Sequence, residues 1–203
     1  MALLRIEELT SPLLHIPWLE VAEGECVVIS GESGAGKSLL LRSIADLDPN
    51  KGEVSLDGRS RASMSACEWR RQVMLVPAES GWWADTVEAH FLADQPVDEL
   101  IASLGLPPEA LSWEVARLSS GERHRLAIAR ALSFRPRAML LDEPTAALDP
   151  IATEHLESVL RHRLSDGTCL LLVTHDRDQA ARMATRSIVI AEGRIVQGSV
   201  SAT

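Results

Sequence analysis

The run Gly31-Glu32-Ser33-Gly34-Ala35-Gly36-Lys37-Ser38 constrains this chain more than any other stretch, because it follows the apolar run Cys26–Ser30 and opens a helical pattern over 37–47. Small residues at 33–36 let the backbone curl so that several N–H groups converge on one point. A helix beginning near Lys37 adds the positive end of its dipole. The spacing is G-x-x-x-x-G-K-[ST], so the loop reads as a cradle for phosphate oxygens. Lys37 is placed to reach the β and γ phosphates, and the Ser38 hydroxyl to meet Mg²⁺. The bland alternative, a glycine-rich turn before an ordinary helix, is the weaker one because the match is complete and sits between strand and helix as the mechanism requires.

The remaining pattern suits such a loop. A strand over 53–57 ends at the Asp57-Gly58 turn, a helix follows over Ala66–Gln72, and the strand Val73–Val76 is stopped by Pro77. Strand patterns return at Ala138–Asp142, 168–174 and 187–191, separated by helices over 151–164 and 176–184. This alternation predicts an α/β fold with a largely parallel sheet and helices on both faces. Between about 78 and 135 the strand signals vanish, and helical spacing over 94–105 and 120–134 reads as a helical insertion. With no internal repeat and no Ser/Gly/Pro linker, the expectation is one domain over 1–203, its core formed by 1–77 and 136–203.

Met139-Leu140-Leu141-Asp142-Glu143-Pro144 is an apolar run ending in two carboxylates, the form of a buried strand that delivers acids to a crevice. Asp142 suits the Mg²⁺ shell. Glu143 suits polarising a water for attack on the γ-phosphate, since phosphoryl transfer depends on positioning and charge neutralisation. A solvated strand end is the competing reading, and the phosphate loop weighs against it.

The charge balance excludes other classes. Lys plus Arg number 20 against 29 Asp plus Glu, a net charge of −9, which argues against gripping nucleic acid through a broad basic face. Cys26, Cys67 and Cys169 show no C-x-x-C spacing, so buried free thiols in a reducing compartment are expected rather than disulfides or zinc. No apolar run is long enough to span a membrane. Arg5, Glu7 and Glu8 interrupt the start where a secretory signal needs apolar residues, so a cytoplasmic or membrane-peripheral chain is expected.

Leu118-Ser119-Ser120-Gly121-Glu122-Arg123-His124-Arg125 resembles the signature of the ATPase subunits of ABC transporters. The order agrees over roughly 24–196: phosphate loop, signature, Asp142-Glu143-Pro144, then Ala147-Leu148-Asp149, then His175 after an apolar strand. The resemblance implies a P-loop NTPase with a helical subdomain at about 78–135 and a small antiparallel β portion. It also implies an ATP-hydrolysing subunit with ATP and Mg²⁺ as cofactors. Two copies, identical or not, would sandwich ATP head to tail and drive a separate integral membrane permease from the cytoplasmic face of the plasma membrane. On this resemblance, Ser119 and Gly121 would meet the partner's γ-phosphate, Asp149 would cross the dimer interface, and His175 would orient the water on Glu143. The short length and Asp85-Thr86-Val87 resemble compact bacterial stand-alone subunits, including those paired with metal-export permeases.

Several positions depart from the family pattern. Ala78 stands where a Mg²⁺-liganding Gln is usual, with Glu79 either a substitute oxygen or part of a surface loop. No Tyr occurs in the chain to stack on adenine; His15 is a weak candidate, and Trp18 is expected in the following strand and the core. Trp82-Trp83 falls where the family receives a helix of the permease, and reads either as a docking anchor or as core of the helical part. Two other functions compete: a degenerate nucleotide-binding scaffold, motivated by Ala78 and the absent stack, and a non-transport relative acting on DNA or ribosomes, which would carry insertions or basic arms not seen here.

Overall fold

The structure, a computed structural model, describes residues 2–92 and 97–200. It opens with two antiparallel strands, β1 (Ala2–Ser11) and β2 (Leu14–Ala22), followed by β3 (Cys26–Ser30) and helix α1 (Lys37–Ile44). Strands β4 (Lys51–Leu56) and β5 (Arg59–Ser60), helix α2 (Ala66–Gln72) and strand β6 (Val73–Val76) come next. After α3 (Asp98–Ser103) and α4 (Ser120–Ser133), strands and helices alternate: β7 (Ala138–Asp142), α5 (Pro150–Ser165), β8 (Cys169–Val173), α6 (Arg177–Met183) and β9 (Arg186–Ala191). β10 (Arg194–Val200) closes the described chain.

Two sheets result. One is antiparallel in the order β2-β1-β4-β5; the other runs β10-β9-β3-β8-β7-β6, parallel from β9 to β6, with only β10 reversed. The period-2 pleat of the inner strands divides their side chains between two cores. Val27, Ile29, Leu140 and Leu171 join the core shared with the antiparallel sheet and α1, while Val28, Met139, Leu141 and Leu172 join the core under α4 and α5. All are at most 1% exposed, and each contributes roughly 1.5–3 kcal/mol relative to an exposed position. This rigid centre fixes where β3, β7 and β8 release their C-terminal residues.

Some elements differ from their sequence expectations for identifiable reasons. The helix expected over 37–47 stops at Ile44, because Asp46 takes φ +59 and the Leu47 N–H returns to the Arg42 carbonyl at 2.9 Å, closing the last turn. Among the described residues, the segment between β6 and β7 holds only α3, α4, short 3₁₀ turns and one isolated bridge, Thr86 to Glu114. Positions 94–96 of the helix expected over 94–105 lie outside the described residues; the rest is α3, ended by Gly105 at φ +71. Trp18 lies on β2 but not in the core: it is 52% exposed, with the Arg5 guanidinium 5.4 Å from its ring centre. Cys26 and Cys169 are buried as expected, but Cys67 is exposed, since it lies on the outer side of a short helix whose only buried residue is Trp69. No helix among the described residues is long and apolar enough to cross a membrane.

Candidate nucleotide site

The loop after β3 is shaped by contacts that only glycine permits. Gly31 takes φ +143, and a Cβ there would overlap the carbonyl oxygen of Ile190 in β9. Gly36 caps α1 at φ 104 with no side-chain hydrogen bond, so no cap side chain occupies the first N–H groups of the helix. Lys37 is 7% exposed, and its Nζ donates to the carbonyls of Gly31 and Glu32, both at 2.8 Å. These two bonds fold the loop over the ammonium and leave one of its three donors free.

A brace that sequence reasoning missed supports the loop from outside. The turn between β9 and β10 places Glu192 at φ 48 and Gly193 at φ 72. The Gly193 N–H donates to the Ala35 carbonyl at 2.9 Å, and the His15 N–H donates to the Gly193 carbonyl at 2.8 Å. A Cβ on Gly193 would overlap the Leu13 carbonyl oxygen. Its signal was the Glu192-Gly193 pair between two apolar runs, a hairpin turn whose tertiary partner no local pattern names.

The loop opens on a cavity of about 850 Å³ lined by Ser33, Gly34, Gly36, Lys37 and Ser38 on one side and Asp142, Glu143 and His175 on the other. His15 and Ala78 also line it; Glu79 is exposed and does not. Glu143 follows β7 in a left-handed conformation, φ +51, held by its N–H to the Val173 carbonyl at 2.9 Å. Its Oε2 accepts the His175 backbone N–H at 3.3 Å, while its Oε1 lies 3.5 Å from His175 Nε2. That Oε1 is buried and accepts no hydrogen bond.

Ser119, Gly121 and Asp149 are not brought to this cavity. Ser119 caps α4 in a reciprocal box with Glu122: its Oγ donates to Glu122 Oε2 at 2.7 Å and accepts the Glu122 N–H at 3.3 Å. The Ser119 backbone N–H and hydroxyl together hold the Glu122 carboxyl below the usual carboxylate range. A Cβ on Gly121 would stand 2.9 Å from the Ala147 carbonyl oxygen, so α4 starts close against the segment that leads to Asp149. Asp149 caps α5 through the Ala152 N–H at 2.8 Å. Of the paired tryptophans, Trp82 packs against the core under α4 and Trp83 is 72% exposed.

The donor set fits a magnesium nucleotide. Ser38 and Asp142 offer two hard oxygens to the same cavity, and among the described residues no group of three or more His, Cys, Asp or Glu forms a dedicated metal cage. Mg²⁺ is commonly held in this way, by one or two protein oxygens with phosphates and water completing the octahedron.

A central parallel strand, a glycine loop opening a helix and two acids at the end of β7, one strand removed across β8, define a P-loop NTPase. The chain belongs to the ABC transporter family, whose pattern matches residues 14–146. It is 40% identical over 194 residues to the Fe(3+) ions import ATP-binding protein FbpC of Streptomyces coelicolor, covering 88% of this chain but only 55% of that relative. Against the glutamine transport ATP-binding protein GlnQ of Escherichia coli, identity is 35% over 206 residues, covering 91% of this chain and 84% of the relative. A solved ATP-binding cassette, dimeric and bound to ADP and Pi after hydrolysis, superposes with a TM-score of 0.84 at 26% identity, covering 98% of this chain and 99% of the other.

Proposed function

We propose that this chain is a single ATPase domain that binds ATP with Mg²⁺, hydrolyses it, and acts as the motor subunit of a transporter whose membrane path lies in a separate permease. The observation that carries the reading is the meeting of Lys37, Ser38, Asp142, Glu143 and His175 around one cavity. A carboxylate on that cavity wall is an acceptor suited to a water hydrogen. Glu143 polarises that water and takes its proton as the oxygen attacks the γ-phosphorus and the bond to the β-phosphate oxygen breaks. His175 holds the carboxylate and orients the γ-phosphate; Lys37 and the loop N–H groups neutralise the leaving β-phosphate. Ser38 and Asp142 hold the metal, which when bound supplies further charge neutralisation on the phosphates.

Ser119, Gly121 and Asp149 gain a role only from a second copy, homologous or identical, docked head to tail so that its nucleotide meets the start of α4. The dimeric ADP-bound cassette supports this arrangement. The groove between α2, β6 and α4, with Trp83 and Leu92 exposed and Arg71 and Arg130 along it, is assigned to an apolar segment of the permease carrying an acidic residue. That docking places the chain on the cytoplasmic face of the membrane without entering it.

The test is the mass of Glu143→Gln by light scattering with and without MgATP. The variant keeps the phosphate cradle, so it is expected to bind ATP, to hydrolyse it at least about 100-fold more slowly, and to double in mass. Hydrolysis at the wild-type rate would remove Glu143 from the mechanism. A monomer with ATP bound would remove the sandwich.

A further inference from the structure

Gln179, on α6, is 0% exposed, carries a buried Nε2 without a partner, and accepts the Thr145 hydroxyl on its Oε1 at 3.1 Å. A buried primary amide with half its capacity unmet is unfavourable unless the bond it does make is needed. Thr145 stands two residues after Glu143, in a turn tightened by the Ala146 N–H to the Glu143 carbonyl at 3.2 Å. Gln179 in turn is held by Asp176, whose Oδ1 accepts the Gln179 N–H at 3.2 Å and that of Asp178 at 2.8 Å. Asp176 directly follows His175, and His175 returns to Glu143 through the two contacts at 3.3 and 3.5 Å. The chain of contacts therefore closes on itself: Glu143, Thr145, Gln179, Asp176, His175, Glu143.

Resting on the ATPase reading above, we infer that Gln179 is a positioning residue for hydrolysis. Its amide, through Thr145, locks the turn that carries Glu143 to the loop that carries His175. Gln179 does not line the cavity; it fixes the separation of two groups that do. Each strand end is set by the parallel sheet, but the residues beyond β7 and β8 leave the ladder, and among side chains this amide is what ties the two exits together away from the cavity. An apolar residue at 179 cannot serve, because the bond needs an acceptor presented to the Thr145 hydroxyl from α6.

The experiment compares steady-state MgATP hydrolysis and equilibrium ATP binding for wild type, Gln179→Leu, Gln179→Glu, Thr145→Val and the Gln179→Leu/Thr145→Val pair. Gln179→Leu is expected to lower kcat about tenfold with KM and ATP affinity unchanged, because misplacement of reacting groups acts on the chemical step. Gln179→Glu retains an acceptor and is expected to restore most of kcat. The double variant is expected to be no worse than either single one, since both remove the same bond. Thr145→Val, at a partly exposed position, carries the test if Gln179→Leu does not fold. A wild type without hydrolysis overturns the ATPase reading itself. A hydrolysing wild type with kcat unchanged in both single variants, with kcat and affinity lost together, or with additive effects in the double variant, overturns the positioning role alone.

Discussion

His175 meets the Glu143 carboxylate at both oxygens, its backbone N–H donating to Oε2 at 3.3 Å and its Nε2 lying 3.5 Å from Oε1. The backbone contact is kept by any variant that keeps the N–H, so the ring acts on Oε1. His175→Ala is expected to lower kcat roughly 100-fold through loss of orientation while ATP still binds in the Lys37 cradle. Single-turnover hydrolysis alongside equilibrium binding reads this split; a parallel loss of binding would reassign His175 to nucleotide affinity.

Gly193 braces the phosphate loop from the β9–β10 turn at φ +72, with the Leu13 carbonyl where a side chain would begin. Gly193→Ala is expected to destabilise the protein by about 2 kcal/mol, or roughly 4–8 °C in Tm, and to weaken ATP binding as the Ala35 carbonyl loses its donor. Thermal melts with and without nucleotide check both. A melt like that of wild type would show the turn free to move.

His124 lies in α4, 6% exposed. Burial pushes its imidazole below the ordinary histidine value of 6.5, and the Pro144 carbonyl offsets this only in part. The unfolded chain therefore takes up a proton near 6.5 that the folded chain does not, so stability is intact above that pH and falls as pH drops toward the lower folded value. His124→Gln removes the titration and is expected to flatten this part of the curve in melts taken from about pH 7.5 to 5. An identical slope in wild type and variant would assign the acid sensitivity to other groups.

The three thiols separate by burial. Cys26 and Cys169 are pushed up to about 12, chiefly by burial, whereas Cys67 is exposed. A thiol reagent at neutral pH is expected to titrate Cys67 alone in the native protein and all of the cysteines after unfolding. Fast reaction of Cys26 or Cys169 in the native state would mean that the sheet opens locally.

Much of the fold is set by near neighbours in the chain. The phosphate loop, the pleated strands β3, β7 and β8, and the stop of α3 at Gly105 depend on residues within one turn of each other, and so were legible in the sequence. Where a local device used an unusual residue, legibility failed. Asp46 stands at the left-handed position that Gly105 fills elsewhere, so the apolar pattern carries α1 three residues past its end at Ile44. Glu8, at φ 50 beside a register shift between β1 and β4, breaks the alternation that would have announced β1.

The candidate site residues divide in the same way. Lys37, Ser38, Asp142 and Glu143 can be named from their own neighbourhoods, because phosphate and acid motifs are contiguous; His175 is named only through the family resemblance. That they share one cavity, that Gly193 supports the loop, and that Gln179 reaches Thr145 were decided only by tertiary structure. Hydrogen bonds between distant segments leave no periodic trace: each needs one acceptor and one donor, and which ones meet depends on how two sheets and their helices pack.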